Sequence, residues 1–287
     1  MSSKVLVPVV MLAGCTLLVA WALRPASSAG PCLVVDGPSR LPEIPEASGL
    51  AVSRRHPGVL WSHNDSGNAP VLFAIDRGGT TRARLRVPVE MRDWEAIAAA
   101  RCPAGNCLYL GDIGDNRRVR QEIAIYRVAE PSLEETTAPA PERMRARYAD
   151  GPHNAESMFV LGSELFIVTR DRTGVLYRTT IPEHEEEAVL QPVGVLGLSA
   201  VSDAEASTDG RSVVVRTSDE AVFYRSADLI DGRITPYFRL PIDGLREPQG
   251  EGIAVDGDLL FLATEGRAWT FGGGLIGLRC ADNTITP

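Results

Sequence analysis

Five times along the chain a short polar opening runs into a small apolar strand: EASGLAVS (46–53), WEAIAAAR (94–101), AESMFVLG (155–162), AEASTDGR (204–211) and GEGIAVDG (250–257). Aligned on Glu46, Glu95, Glu156, Glu205 and Glu251, the copies lie 49, 61, 49 and 46 residues apart. A repeat of this length constrains the fold more than any single motif. Each copy is one supersecondary unit that can bury its apolar face only against its neighbours.

The rest of each unit repeats as well. A second apolar strand ends in polar residues: VLWSHND (59–65), CLYLGDI (107–113), LFIVTRD (165–171), SVVVRTS (212–218) and LLFLATEG (259–266). A third follows as VLFAID, IAIYRV, VLYRTT, VFYRSA and LIGLRC, and a fourth in four units as TRARLRV, RMRARY, EAVLQPV and TPYFRL. These runs are short, rich in β-branched residues and separated by Gly, Asp and Pro turns, with no long helical period. Four strands per repeat at this length describe the blades of an all-β propeller. The fifth unit lacks a fourth strand, and CLVVDGPSRL (32–41) at the other end of the body is free to supply it and close the ring. Five blades are expected, with six as the alternative if the long interval from 95 to 156 hides another. Its EPSLEETTAPAPE (130–142) stretch reads as an exposed loop.

The cysteines test this arrangement. Adjacent blade strands are antiparallel, so Cys280 at the end of a third strand and Cys32 at the start of the fourth should lie side by side; Cys102 and Cys107 flank a tight turn between a first and a second strand. Two disulfides, Cys32–Cys280 and Cys102–Cys107, are expected, and they suit an oxidising compartment. The N-terminus agrees. Residues 5–23 (VLVPVVMLAGCTLLVAWAL) are apolar or small, and RPASSA (24–29) resembles a signal-peptidase exit. Three fates are open: cleavage after Ala29, lipidation of Cys15 in the lipobox-like LAGC (12–15), or retention as a membrane anchor. Each puts a single domain, residues 30–287, outside the cytoplasm, secreted or associated with the cell envelope, and touching a membrane only through residues 1–29. That segment carries Lys4 and Arg24 and no acid, so the body has 27 bases against 37 acids, a net charge of −10. A basic nucleic-acid footprint is therefore lacking.

In a propeller the first strand of each blade lines the central channel, and the second runs back to the same face. DWEAIA (93–98) and LGDIGDN (110–116) thus bring their carboxylates to one mouth, and the other repeats add theirs. Glu46, Ser48, Asp93, Glu95, Asn154, Glu156, Asp203, Glu205 and Glu251 from first strands would meet Asn64, Asp65, Asp112, Asp115, Asn116, Arg170, Arg216 and Glu265 from the ends of second strands. So many carboxylates in a narrow mouth need a positive partner. Arg170 and Arg216 are candidates, and so is a bound cation. Oxygen ligands suit Ca²⁺, with Mg²⁺ or Mn²⁺ as alternatives. The candidate ligands are Asn64, Glu95, Asp112, Asn154, Glu156, Asp203, Glu205 and Glu251, and His63 could add a nitrogen or move a proton. Polar residues at strand ends also cap turns in inactive propellers, so a purely structural role stands beside this one.

Other signals are weaker. GGGLIG (272–277) fits a dinucleotide fingerprint but leaves no room for the helix and ribose-binding acid that the fingerprint requires. His56, His153 and His184 read as surface or turn residues, with His153 near the mouth through Asn154. Trp61 and Trp94 read as blade packing, and HEEE (184–187) as a solvated loop.

At DWEAIA, GDIGDN, NAES and QGEGIA the chain resembles secreted bacterial propellers of the phytase-like esterase and gluconolactonase or regucalcin-like group, over roughly residues 32–280. That resemblance implies a divalent metal at the channel mouth, with Glu251, Asn64, Asn154 and Asp203 as the matching residue types, and in some members hydrolysis of lactones or phosphoesters. The Glu-Gly-Pro pattern of that group occurs here as Glu251-Gly252-Ile253, and the basic residues are few: Arg170, Arg216 and Arg117. The first functional expectation is a monomeric exported propeller that binds a divalent cation and a small polar ligand and hydrolyses an ester, lactone or phosphoester. Asp65 or Glu95 would then act as base, with Arg170 and Arg216 holding developing negative charge. The alternative is a non-catalytic binding or scaffolding propeller with an envelope component as partner, and between them lies a structural Ca²⁺ without chemistry.

Overall fold

The computed structural model describes residues 28–182, 187–266, 273–281 and 283–287. The apolar segment with Cys15, His184 and most of the HEEE loop lie outside the described residues.

The described strands make five four-stranded antiparallel blades. Strand β1 (Ser28–Ala29) pairs with β2 (Cys32–Leu41). The first blade is β3 (Ala47–Val52), β4 (Val59–Asn64), β5 (Val71–Asp76) and β6 (Thr81–Arg86). The second is β7 (Trp94–Cys102), β8 (Gly105–Asp112), β9 (Ile123–Ala129) and β10 (Glu142–Tyr148). The third is β11 (Ala155–Leu161), β12 (Glu164–Thr169), β13 (Val175–Thr180) and β14 (Ala188–Val195). The fourth is β15 (Asp203–Ala206), β16 (Ser212–Arg216), β17 (Glu220–Arg225) and β18 (Phe238–Pro241), with the short helix α1 (Ser226–Ile230) following β17. The fifth is β19 (Gln249–Asp256), β20 (Leu259–Glu265) and β21 (Gly273–Cys280), completed by β2.

The sequence pattern explains the layering. Inner strands such as ASGLAV and AESMFVL are buried at every position, because one face meets the neighbouring blade on each side. Outer strands alternate. In β10 the arginines of RMRARY point to solvent while Met144, Ala146 and Tyr148 point inward. Buried apolar clusters sit between blades one and two, two and three, three and four, four and five, and five and one. The inner strands β3, β7, β11, β15 and β19 touch in that order, and β19 returns to β3. Among the described residues, five blades close the ring.

Both expected disulfides are formed. Cys32 faces Cys280 in the β2–β21 ladder, so the covalent bond fastens the blade that joins the two ends of the ring. Three features depart from the sequence reading. Ser28 and Ala29, assigned there to the exported segment, belong to the body: they pair with β2, and Ala29 is buried in the cluster between blades four and five. The 130–142 stretch is not free in solvent. Thr137 bridges Arg86 on the edge of blade one, Ala138 is buried, and Glu130 accepts hydrogen bonds from Ser53 Oγ at 2.5 Å and Trp61 Nε1 at 2.9 Å. The outer strands β10 and β14 pair in parallel, joining blades two and three into one eight-stranded sheet.

Candidate functional site

Four of the five inner strands carry a β-bulge at their first turn of ladder. The pairing skips Ser48 and Gly49 in β3, Glu95 in β7, Glu156 in β11 and Glu251 in β19. A bulge puts an extra residue opposite its partner strand and re-aims its side chain. In β7, β11 and β19 the residue re-aimed is the repeat's own acid, and in β3 it is Ser48 with Gly49. Strand β15 has no bulge: Asp203 pairs directly with Arg216.

The register also corrects the alignment of the repeats. Ile97, Met158 and Ile253 stand opposite Leu110, Ile167 and Leu262, and the corresponding place in the fourth blade, opposite Val214, belongs to Glu205. The equivalents of Glu95 are therefore Ser48, Glu156, Asp203 and Glu251, and Glu46 matches Asp93. Glu205 occupies a core position. It is buried, its Oε2 has no hydrogen-bond partner, and burial holds its carboxyl well above the usual range. The same register separates the ends of the second strands. Asn64, Asp112, Thr169 and Arg216 end their ladders and Thr264 holds the equivalent place, whereas Asp65, Arg170 and Glu265, the last still paired with Gln249, stand one residue further, on the opposite face of the strand.

The latter three meet the bulged acids at the mouth. One carboxylate oxygen from each of Asp65, Asp93 and Glu95 lies within 4.8 Å of the others. None of the three has a cationic partner among the described residues. Arg170 reaches across the ring instead, pairing with Glu156 of its own blade and with Glu251 of the fifth at 3.5 Å. Glu95 is only 5% exposed and its carboxylate has no hydrogen-bond partner among the described residues. Burial, followed by the charges of Asp65, Asp93 and Glu251, pushes its carboxyl up to about 9 against the opposing pull of Arg170. Glu265 is raised to about 7 by burial and by Glu251, Asp65 and Glu46. Asp65 is raised mainly by burial, with Asp93 adding to it and the Ser66 N–H opposing.

The loop 113–120 forms the wall beside this trio. Asp112 accepts the N–H groups of Arg92 at 3.2 Å and Asp93 at 2.9 Å, and pairs with buried Arg120 at 2.9 Å. Arg120 donates to the Gly114 carbonyl at 2.8 Å, and Gly114 N–H donates to the Asp93 carbonyl at 3.1 Å. Asp115 accepts the Arg120 N–H and donates its own N–H to Asn154 Oδ1. Asp112 thus acts through the backbone of Asp93 and through Arg120.

Other expected ligands are also engaged by the protein. Asn64 accepts the Glu46 N–H and donates to the Glu43 carbonyl, and Asn154 links Asp115 with Asn116. Asp203 is fully buried and accepts N–H groups from three blades: Leu50 at 3.2 Å, Ala204 at 2.9 Å and Ile253 at 2.8 Å. Of the four residues that match the esterase and lactonase group, Asn64, Asn154 and Asp203 are held this way, and Glu251 is held by Arg170 and by Gln249 at 2.8 Å. Arg216 is 0% exposed; it pairs with Glu247 and donates to the carbonyls of Gly252 and Ala263 at 2.6 and 3.1 Å. It cannot reach a reactant in the mouth. His63 is buried, stacked on Trp94 at 3.9 Å, and kept neutral by burial, which lowers it to about 3. Trp61 and Trp94 are packing residues as expected. His153 is tied to Asp150 and Tyr177, and His56 to the Pro131 carbonyl at 2.8 Å.

No protein-family model matches this sequence, and no curated protein matches it. Among solved structures it is similar to U3-55K (TM-score 0.42, 11% identity, 81% of this chain and 67% of that one) and to the WD40 repeats of RRP9 (0.42, 11%, 82% and 67%). A chain of the mitotic checkpoint complex is also similar (0.36, 11%, 91% and 68%). The likeness concerns fold alone. The resemblance to the esterase and lactonase group gains nothing from these comparisons.

Proposed function

We propose that the protein is a binding propeller of the cell exterior whose acidic mouth takes a divalent cation, Ca²⁺ first, on Asp65, Asp93 and Glu95. The cation then serves to hold a small polar ligand or an envelope component at the ring's entrance. The observation that carries this reading is Glu95: a side chain 5% exposed, without a hydrogen-bond or ion-pair partner among the described residues, beside two further carboxylates that have no cationic partner among them either. Three hard oxygen donors at one point suit Ca²⁺. The two disulfides support a location in an oxidising compartment.

Binding is favoured over hydrolysis because both expected charge-holding groups are engaged. Arg216 is enclosed, and Arg170 already neutralises Glu156 and Glu251.

The test is a thermal melt of the chelated protein titrated with Ca²⁺, Mg²⁺ and Mn²⁺, run beside a panel of ester, lactone and phosphoester substrates. A saturable rise in Tm without turnover agrees with the proposal, since a ligand bound only to the native state must stabilise it. No rise with any ion contradicts the cation; metal-dependent turnover contradicts the non-catalytic reading.

A further inference from the structure

The end of the ring opposite the acidic mouth has the reverse chemistry. The inner strands finish there, and a cavity of about 330 Å³ opens among Arg54, Arg77, Arg101, Asn106, Thr208 and Asp256. These residues come from blades one, two, four and five. Three guanidinium groups face one carboxylate, in a protein whose formal net charge is −8.

Two of the arginines are fixed by the protein with hydrogen-bonding capacity to spare. Arg54 donates Nε–H to the Ala99 carbonyl at 2.7 Å and Nη1–H to the Thr208 carbonyl at 3.0 Å, its charge also acts on buried Glu205, and Nη2 has no hydrogen bond among the described residues. Arg77 donates from Nη2 to Asp256 at 2.5 Å and lies over the Phe261 ring at 5.7 Å, leaving Nε and Nη1. Arg101 is exposed and has no hydrogen bond or ion pair among the described residues. A planar fork held in place loses little freedom when it binds an oxyanion, and it matches carboxylate and phosphate geometry.

The Cys102–Cys107 disulfide adjoins two lining residues of this cavity along the chain. Arg101 stands opposite Asn106 in the β7–β8 hairpin, and Cys102 opposite Gly105, so the bond clasps the turn that carries both lining residues. A bond spanning five positions in a turn already closed by ladder hydrogen bonds constrains the unfolded chain least. Its main consequence is to hold Arg101 and Asn106 at the cavity's edge, where Asn106 also donates to the Arg54 carbonyl at 3.1 Å.

We propose that this cavity is a second binding site, for a small, multiply charged oxyanion gripped by Arg54, Arg77 and Arg101. It is independent of the cation at the mouth. The experiment is isothermal titration of the purified, chelated protein with inorganic phosphate and, separately, with citrate, at fixed ionic strength. Saturable one-to-one binding of either probe is expected; phosphate alone assigns a phosphate ligand, and citrate alone a carboxylate. Arg101→Glu, at an exposed position, should fold normally and weaken binding tenfold or more, with Arg101→Gln in between. Cys102→Ser/Cys107→Ser should weaken it while the Cys32–Cys280 bond keeps the ring folded. Absence of binding by both probes, or equal binding by Arg101→Glu, overturns the site; unchanged affinity in the double serine variant overturns the role given to the disulfide.

Discussion

Gly114 lies against Glu95 so closely that a Cβ at position 114 would fall 2.6 Å from Glu95 Oε1, and it would meet Asp93 Oδ2 at 2.5 Å. The loop after β8 is therefore shaped around the two carboxylates, and only a hydrogen fits between them and the backbone. Glu95 is buried and has little room to retreat. Gly114→Ala is expected to displace both carboxylates, abolish the cation-dependent rise in Tm, and cost about 1–3 kcal/mol of stability through overpacking. Urea denaturation with and without Ca²⁺ measures both effects.

Glu205 occupies a core position that the other blades give to Ile97, Met158 and Ile253. Its folded carboxyl is raised above the unfolded value by burial. The native state therefore holds a proton that the unfolded state releases, and stability falls as pH rises above the unfolded value near 4.5. Glu205→Met should remove that slope and stabilise the protein at pH 7 by about 1–3 kcal/mol, the range for a buried polar atom left unsatisfied, less what the carboxylate gains from Arg54 and the Val52 N–H. Denaturation midpoints at pH 5 and pH 8 test it, with the larger gain expected at pH 8.

Arg170 is the internal counter-charge of the mouth. Arg170→Gln frees Glu156 and Glu251 and makes the funnel more negative. Removing one positive charge near the trio should tighten cation binding by on the order of 1 kcal/mol, about fivefold. Calorimetric titration with Ca²⁺ reads this directly, and looser binding would show that Arg170 positions the site rather than opposing the cation.

Cys32 and Cys280 are separated by 248 residues, and their bond closes the ring. Cys32→Ser/Cys280→Ser should lower stability by roughly 5–6 kcal/mol on the chain-entropy account, far more than loss of the short-range bond. Comparative denaturation of the two double variants checks the order.

The repeat was legible because its period, its four apolar runs and its cysteine placement all point to one architecture. The closing strand 32–41 followed from a missing fourth strand and an unpaired cysteine. The site was legible in part. DWEAIA marked Asp93 and Glu95, and Asp65 followed from the end of the second strand. What stayed hidden was the bulge, since an extra residue in a ladder depends on the partner strand and leaves no signature in either strand alone. For that reason Glu205 passed for a mouth acid, Asp112 and Asp203 for open ligands, and Arg216 for an open charge-holding group. A signal was present: AEASTDGR lacks the apolar residue that follows WEA, AES and GEG two places after the first strand's opening. Arg120, Gly114, Arg54 and Arg77 sit outside the aligned strand segments, in turns whose roles come from neighbouring blades, and Arg101 closes WEAIAAAR at the end away from the mouth.

The most direct measurement uses Tb³⁺ as a luminescent substitute for Ca²⁺, excited through Trp94, the residue adjacent to Glu95. Saturable sensitised emission that Ca²⁺ displaces, and that Glu95→Gln and Asp93→Asn each abolish while the fold is retained, is the predicted result. Emission that persists in both variants, or its absence in the unaltered protein, would contradict a cation on Asp65, Asp93 and Glu95.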